Sequence, residues 1–367
     1  MTRTGTDLED RVRATLDGLA AADPAAGLQV AAYLHGRPVL DVCAGVADPA
    51  TGRPVTAGTP IFSFSLGKGL ASTVVHVLAE RGVLDYDLRL ARVWPEFGRN
   101  GKRDITLAHV LTHTAGLPEL PAGCTVGDLT DWDRMCAVLA AATPVWAPGS
   151  RHGYHVWTYG WLVGEVVRRV TGRTISAVLA EEVAAPLGVP GELLFGVPEG
   201  DLDRLARLTD RGWSAALDAL AGALPNLARA VPPGVRPDAA LGNRRDVLRA
   251  DIPAIGTVTA RAAARMYAAL LGEVDGVRLI SADRLRRVSA PAVSGPDWTL
   301  GGELTGALGY GIEGPMFGCD GLGGSIAGAA PGLGLAFAAT RTIVAVGDGD
   351  PLERLRTLVL DAVRADG

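Results

Sequence analysis

A chain of 367 residues with 48% hydrophobic composition can bury a sizeable core and is long enough for one large domain or two lobes. Its 40 acidic residues against 35 basic ones leave a net charge of -5, with no lysine–arginine block and no basic aromatic stripe, which argues against a nucleic-acid partner. No apolar run approaches the ~18 residues of a membrane span. The segment Met1–Asp7 leads into a charged helical pattern without the apolar core of ~7–15 residues that a secretory signal carries. A cytoplasmic enzyme without a membrane partner is the expectation.

In chain order, Leu8, Val12, Leu16 and Leu19 fall on one side of a predicted helix over Asp7–Ala21. Two β-like runs follow, Leu28–Leu34 and Pro38–Ala44, joined by His35-Gly36-Arg37, which is hairpin chemistry. After the turn-rich stretch Asp48–Pro60 comes Ile61-Phe62-Ser63-Phe64, then a helix from Ser65 to Arg81 stopped by Gly82. From Leu84 to Leu271 the pattern is mainly helical, with breaks at Pro118–Pro121, Ala147–Gly149 and Pro232–Pro237, and the stretch Pro225–Pro253 reads as a long surface loop. Ile312–Phe317, Gly324–Ala329 and Leu333–Thr342 read as glycine-punctuated strands, and Pro351–Arg364 as a final helix. This order predicts an α+β fold. One sheet is built from both chain ends (1–64 and 255–367), and a mainly helical domain (65–254) is inserted between them, with the active site at their interface. Cys43, Cys124, Cys136 and Cys319 show neither CxxC spacing nor a His/Cys cluster, so no disulfide framework, zinc site or other metal is expected.

The residues that carry chemistry begin with Ser65-Leu66-Gly67-Lys68. Lys68 and Lys102 are the only lysines among the 35 basic residues, so surface charge is met almost entirely by arginine. A pKa above ~12 keeps arginine protonated, whereas a buried lysine can be driven towards neutrality and accept a proton from a hydroxyl. Ser65 opens a helix, where free N–H groups and the helix dipole favour an oxyanion, and Lys68 lies one turn on along the same face. Tyr154, on a loop after Pro148-Gly149, is a second candidate, because a phenol beside a Ser–Lys pair can carry a proton to a leaving group. In Gly318-Cys319-Asp320-Gly321-Leu322-Gly323-Gly324-Ser325, small residues let a substrate approach an edge strand closely. The stretch fails the last position of the dinucleotide fingerprint, and no cofactor is expected. Gly323-Gly324-Ser325-Ile326-Ala327 nearly matches a nucleophile elbow, but every histidine precedes it. A Ser-His-Asp triad on Ser65 would need His109, His113, His152 or His155 in an unusual frame.

These residues resemble the serine β-lactamase and penicillin-binding-protein superfamily, in its class C-like branch of esterases and acyltransferases. The likeness extends from Ser65–Lys68 through Arg81–Asp85, Trp94–Phe97, Leu111–Pro118, Tyr154-His155, Gly160–Glu165 and Gly318–Ser325. It implies an antiparallel sheet flanked by helices, with the site between the sheet and a helical domain. It also implies an acylated nucleophile at Ser65, proton handling by Lys68 and Tyr154, and an oxyanion hole from the backbone N–H groups of Ser65 and Leu322. Cys319, Asp320, Gly321 and His155 would contact substrate, and His113 would be structural. The chain departs from the family pattern where His155 and Val156 follow the tyrosine and where Cys319-Asp320-Gly321 replaces a cation-bearing motif. The second change argues against classical penicillin recognition.

The expected activity is esterase-type hydrolysis of a small-molecule acyl ester or amide through acyl-Ser65. The first alternative is transfer of the acyl group to an amine or alcohol acceptor in specialised metabolism, and the second is a catalytically silent binding protein. Oligomeric state is not written in the sequence.

Overall fold

Two segments, one near each end of the chain, carry the near-continuous apolar runs of strands buried on both faces, and they meet in the middle of one sheet. The computed structural model describes residues 3–345 and 350–366, so Met1, Thr2, residues 346–349 and Gly367 lie outside the described residues. Helix α1 (Arg3–Ala22) precedes strands β1 (Gly27–Leu34), β2 (Arg37–Asp48) and β3 (Arg53–Pro54). The central region contributes helices α2 (Leu66–Glu80), α3 (Thr158–Thr171) and α4 (Ala260–Leu271). Strands β4 (Val293–Pro296), β5 (Glu303–Gly306), β6 (Gly311–Glu313), β7 (Met316–Asp320), β8 (Ile326–Ala330) and β9 (Leu335–Arg341) then lead to helix α5 (Pro351–Asp366). The nine strands form one antiparallel sheet in the order β3-β2-β1-β9-β8-β7-β6-β5-β4. The α+β class expected from the sequence is the fold observed.

The two chain ends join where β1 pairs with β9, from Leu28 opposite Arg341 to Leu34 opposite Leu335. Alternation along these strands sorts their side chains into two cores. Leu28, Val30, Ala32, Leu335, Phe337 and Ala339 pack with Val12 and Leu16 of α1 and with Leu352, Leu355 and Val359 of α5 on the outer face. Ala31, Tyr33, Ala336 and Ala338 point the other way, into the larger core shared with α2, α3 and α4. Small residues on that inner face let α4 lie directly on β1, β8 and β9. The β1–β2 turn uses positive φ at His35 and Gly36, as a two-residue hairpin requires.

Three expectations need correction. Ile312–Phe317 is not one strand, because Gly314 at φ 55° turns the chain and splits it into β6 and β7. Pro225–Pro253 is not a loop but contains four short helical turns, at Pro225–Ala230, Pro233–Val235, Ala239–Gly242 and Arg245–Arg249. Pro225 and Pro233 stand at helix starts, where a missing N–H costs nothing. Strands β4 and β5 had no counterpart in the sequence reading, since Val293-Ser294-Gly295-Pro296 has no apolar alternation. Among the described residues, no helix is long and apolar enough to cross a membrane.

Phe337 is 1% exposed in the outer core. Phe337→Ala should therefore destabilise the fold by about 3–5 kcal/mol, read as a lower urea midpoint at unchanged slope.

Candidate active site

Ser65 is delivered to its position by a small three-stranded sheet and a backbone contortion. Ile61–Phe62 pairs with Thr257–Val258, and the pairing continues as Ser63 N–H donates to Gly256 O (2.7 Å) and Gly256 N–H donates to Phe64 O (2.8 Å). Phe64 then turns the chain with φ 47°, a conformation uncommon for a non-glycine residue. Ser65 follows as the N-cap of α2, and its hydroxyl makes no capping bond. Gly67 sits where α2 meets the 255–256 backbone, and a Cβ there would run into the Ile255 carbonyl. A Cβ at Gly69 would strike the Tyr267 hydroxyl.

Helix α2 is buried along almost its whole length, so Lys68 is only 2% exposed. Its Nζ lies 3.1 Å from Ser65 Oγ and 3.1 Å from the Ala254 carbonyl, and 4.9 Å from the centre of the Tyr154 ring. Burial pulls the ammonium down to about 7, with the neighbouring Cys319 opposing weakly. Burial pushes the Tyr154 phenol well above its ordinary value, while hydrogen bonding with Ser65 works the other way. Among the described residues no histidine ring hydrogen-bonds Ser65 Oγ, so the histidine triad considered from sequence does not form. Lys68 takes that place.

Opposite α2 runs β7, which is not the edge strand suggested by the sequence but lies between β6 and β8. Cys319 points to the inner face, with its Sγ 3.9 Å from the Gly309 carbonyl, and burial pushes its thiol up to about 12. A Cβ on Gly321 would meet the Ser63 carbonyl, so glycine lets the end of β7 close on the strand that leads to Ser65. Leu322 follows and lines the same cavity as Ser65, Lys68, Tyr154 and Cys319. Neither the Ser65 nor the Leu322 N–H has a hydrogen-bond partner among the described residues.

Two predicted contacts fall elsewhere. Asp320 lies one position on from Cys319 and therefore on the other face of the strand. Its carboxylate groups within 4.8 Å of those of Glu313 and Glu353, so it borders the cavity from the side of α5 and not beside Ser65. His155 is fully buried and bridges two loops: Nδ1 donates to Gly153 O at 2.6 Å, and Nε2 accepts from Leu117 N–H at 3.0 Å. Burial holds it neutral, at about 4. His113 accepts from the His155 N–H at 3.1 Å and is likewise held well below its ordinary range by burial.

With this geometry in hand, comparison with known proteins gives a consistent answer. The family model described as Beta-lactamase matches residues 12–360. The chain belongs to the beta-lactamase family. It is 40% identical over 328 residues to the esterase/beta-lactamase LipL of Mycobacterium tuberculosis, covering 85% of this chain and 76% of that protein. The crystal structure of a family VIII carboxylesterase superposes with a TM-score of 0.86 at 31% identity, covering 97% of each chain. A shorter match, 29% over 185 residues and 43% of each chain, is to a monacolin J acid methylbutanoyltransferase of Aspergillus terreus. The protein is thus a serine-type acyl-transfer enzyme rather than a silent binding protein.

Within this beta-lactamase frame the cavity measures about 460 Å³. Its far wall is apolar: Leu217, Leu227 and Val231 come from the segment after residue 212, and Leu300 and Leu304 from the β4–β5 hairpin. The sequence points to Pro225–Pro253 as shaping the pocket, and Leu227 and Val231 of that segment line it; Leu217 and the β4–β5 hairpin carry no such signal in the sequence. The sequence reading missed Asp297 in the β4–β5 turn, a 3% exposed carboxylate that accepts from the Tyr154 N–H at 2.8 Å. Asp297 and Tyr154 are 143 positions apart, and a turn aspartate carries no signal of such a partner.

His155→Ala should leave the Leu117 N–H and the Gly153 carbonyl unpaired inside the protein. The expected loss is about 1–3 kcal/mol for each orphaned group, measured by chemical denaturation.

Proposed function

We propose that this protein hydrolyses small-molecule esters through an acyl-Ser65 intermediate. The observation that carries the reading is Lys68 Nζ, 3.1 Å from Ser65 Oγ in a site dry enough to bring the ammonium to about 7. A neutral lysine at that distance takes the serine proton as Oγ attacks the acyl carbon. The phenol of Tyr154, above Lys68, remains protonated at neutral pH and can hand a proton to the departing alcohol. The unpaired N–H groups of Ser65 and Leu322 receive the developing oxyanion, a role worth roughly 3–4 kcal/mol per donor in enzymes of this kind. In the second half of the cycle water attacks the acyl carbon and Ser65 is released.

The apolar wall of Leu217, Leu227, Val231, Leu300 and Leu304 fits an uncharged acyl chain. Among the described residues that line the cavity the one arginine is Arg356, on α5, and it is already paired with Glu313 and Glu353. We assign residues 1–64 and 255–367 to a sheet lobe and 65–254 to a helical lobe. Both contribute cavity walls, Tyr154 and Leu217 from one and Leu304 and Cys319 from the other. A second reading, transfer to an alcohol or amine, is favoured by the dryness of the site and by the likeness to the methylbutanoyltransferase.

Incubation with p-nitrophenyl butyrate should leave a butyryl adduct on the Ser65 peptide in the mass spectrum. Ser65→Ala should show neither adduct nor turnover, and an unchanged rate in that variant would overturn the reading. Lys68→Ala should lower kcat/KM by ~10²–10⁴-fold. In the wild type, kcat/KM should rise with pH through a midpoint near 7 and then level, because the base works only after losing its proton. The Lys68→Ala variant should lose that limb of the profile.

A further inference from the structure

The helix Trp213–Ala223 is unlike the rest of the surface. Its one charged residue is Asp218, paired with Arg236, and its one buried residue is Leu217. Ala215, Ala219 and Ala223 are exposed. A helix apolar on every side belongs in an interior, yet this one stands at the surface. Trp213, Leu217 and Leu220 recur at i, i+4 and i+7, so they share one face, and all three line the cavity that holds Ser65. The β4–β5 hairpin contributes Leu300 and Leu304 to the same cavity. It also meets the helix where the helix ends, since a Cβ on Gly301 would come within 3.1 Å of Leu224. Helix and hairpin are thus two apolar sides of one slot that leads to Ser65.

The mouth of that slot stays apolar. Leu220 and Leu300 are 43% and 38% exposed, and among the described residues only Val83 and Val145 are comparable large apolar side chains. Exposed leucines scattered over a surface need no account, but two that carry the wall of a catalytic cavity out to solvent form a contact surface for whatever the cavity holds. At about 460 Å³ the cavity falls in the range of ~300–1,000 Å³ that accepts drug-sized ligands, well above the need of an acetyl ester. We propose that the site selects esters carrying a medium-length unbranched aliphatic chain, octanoyl or octyl in kind, with Leu220 and Leu300 holding the chain at the mouth. The inference rests on the acyl-Ser65 reading and names its substrate class. Acyl and alcohol chains present the same methylenes to the slot, and two ester series tell them apart. Each methylene withdrawn from water raises kcat/KM about two- to fourfold, the higher figure for full burial and the lower for the half-covered mouth.

The test assays the intact chain with p-nitrophenyl esters from acetate to octanoate, and with acetate esters from ethyl to octyl. All are kept below micelle formation, and each rate is divided by that of the same ester with hydroxide. In at least one series kcat/KM should climb about two- to fourfold per methylene. Leu220→Gln combined with Leu300→Gln puts amides at the mouth, at exposed positions where the fold has little to lose. The double variant should cut the long-to-short ratio of kcat/KM in that series about tenfold at the wild-type melting temperature. Profiles flat beyond four carbons in both series would overturn the inference, as would a long-to-short ratio that the double variant leaves in place. Either result leaves the acyl-serine chemistry standing. Turnover that survives Ser65→Ala would instead remove the acyl-serine reading, and this inference with it.

Discussion

A single lysine kept out of water organises this protein. Lys68 stands on a helix buried on nearly every side, with one backbone carbonyl and the Ser65 hydroxyl as its polar neighbours and, among the described residues, no carboxylate bonded to it. Retaining a full charge there would cost several kcal/mol in lost hydration, and the lysine relieves most of that by easily shedding its proton. The surrounding construction sustains this condition. Gly67 and Gly69 let the helix press against the 255–256 backbone and against Tyr267, which leaves little room for water beside the ammonium. The Ser72 hydroxyl shares its one proton between the Lys68 and Gly309 carbonyls and accepts from the Tyr159 hydroxyl, so the polar groups of the next helical turn are spent on one another.

How much of this was legible in the sequence depends on the range over which each signal acts. The Ser65–Lys68 pair was legible because its geometry is local: three residues at a helix start place the two groups on one face, whatever the rest of the chain does. The β1–β2 hairpin was equally plain, since His35-Gly36 carries its own turn chemistry. Cys319 and Asp320 show where motif reading fails. Adjacent letters in a motif lie on opposite faces of a strand, so one faces Ser65 while the other joins the acidic residues near α5. His155 was misassigned because proximity to Tyr154 in sequence says nothing about which way a ring turns. Its two nitrogens are consumed by Gly153 and Leu117. Asp297 was invisible because its partners lie on a loop across the fold.

The Tyr154 loop is therefore held from two sides by different physics. From within, the neutral rings of His113 and His155 tie it to the Leu111–Leu117 turn through uncharged hydrogen bonds. From the β4–β5 hairpin, the ionised Asp297 grips its backbone, while Trp298 packs its ring 5.2 Å from that of Trp146. The same hairpin reaches the apolar wall, since the Asn226 side chain donates to the Trp298 carbonyl at 2.8 Å. The wall and the loop that carries Tyr154 and His152 thus rest on the same hairpin.

The pairing of β1 with β9 has a consequence for how the molecule comes into being. These neighbours at the centre of the sheet are separated by some 300 residues of chain, from Leu28 to Arg341. On the ribosome the first hairpin emerges with one edge unpaired, and it waits for a partner made some 300 residues later. Until then Val30 and Leu28 have neither Phe337 nor the α5 helix to cover them. The helices between, rich in local contacts, can form in the meantime, but the sheet that closes one side of the catalytic cavity cannot. A nascent chain of this protein thus acquires helix α2 well before it acquires the cavity that Ser65 and Lys68 line.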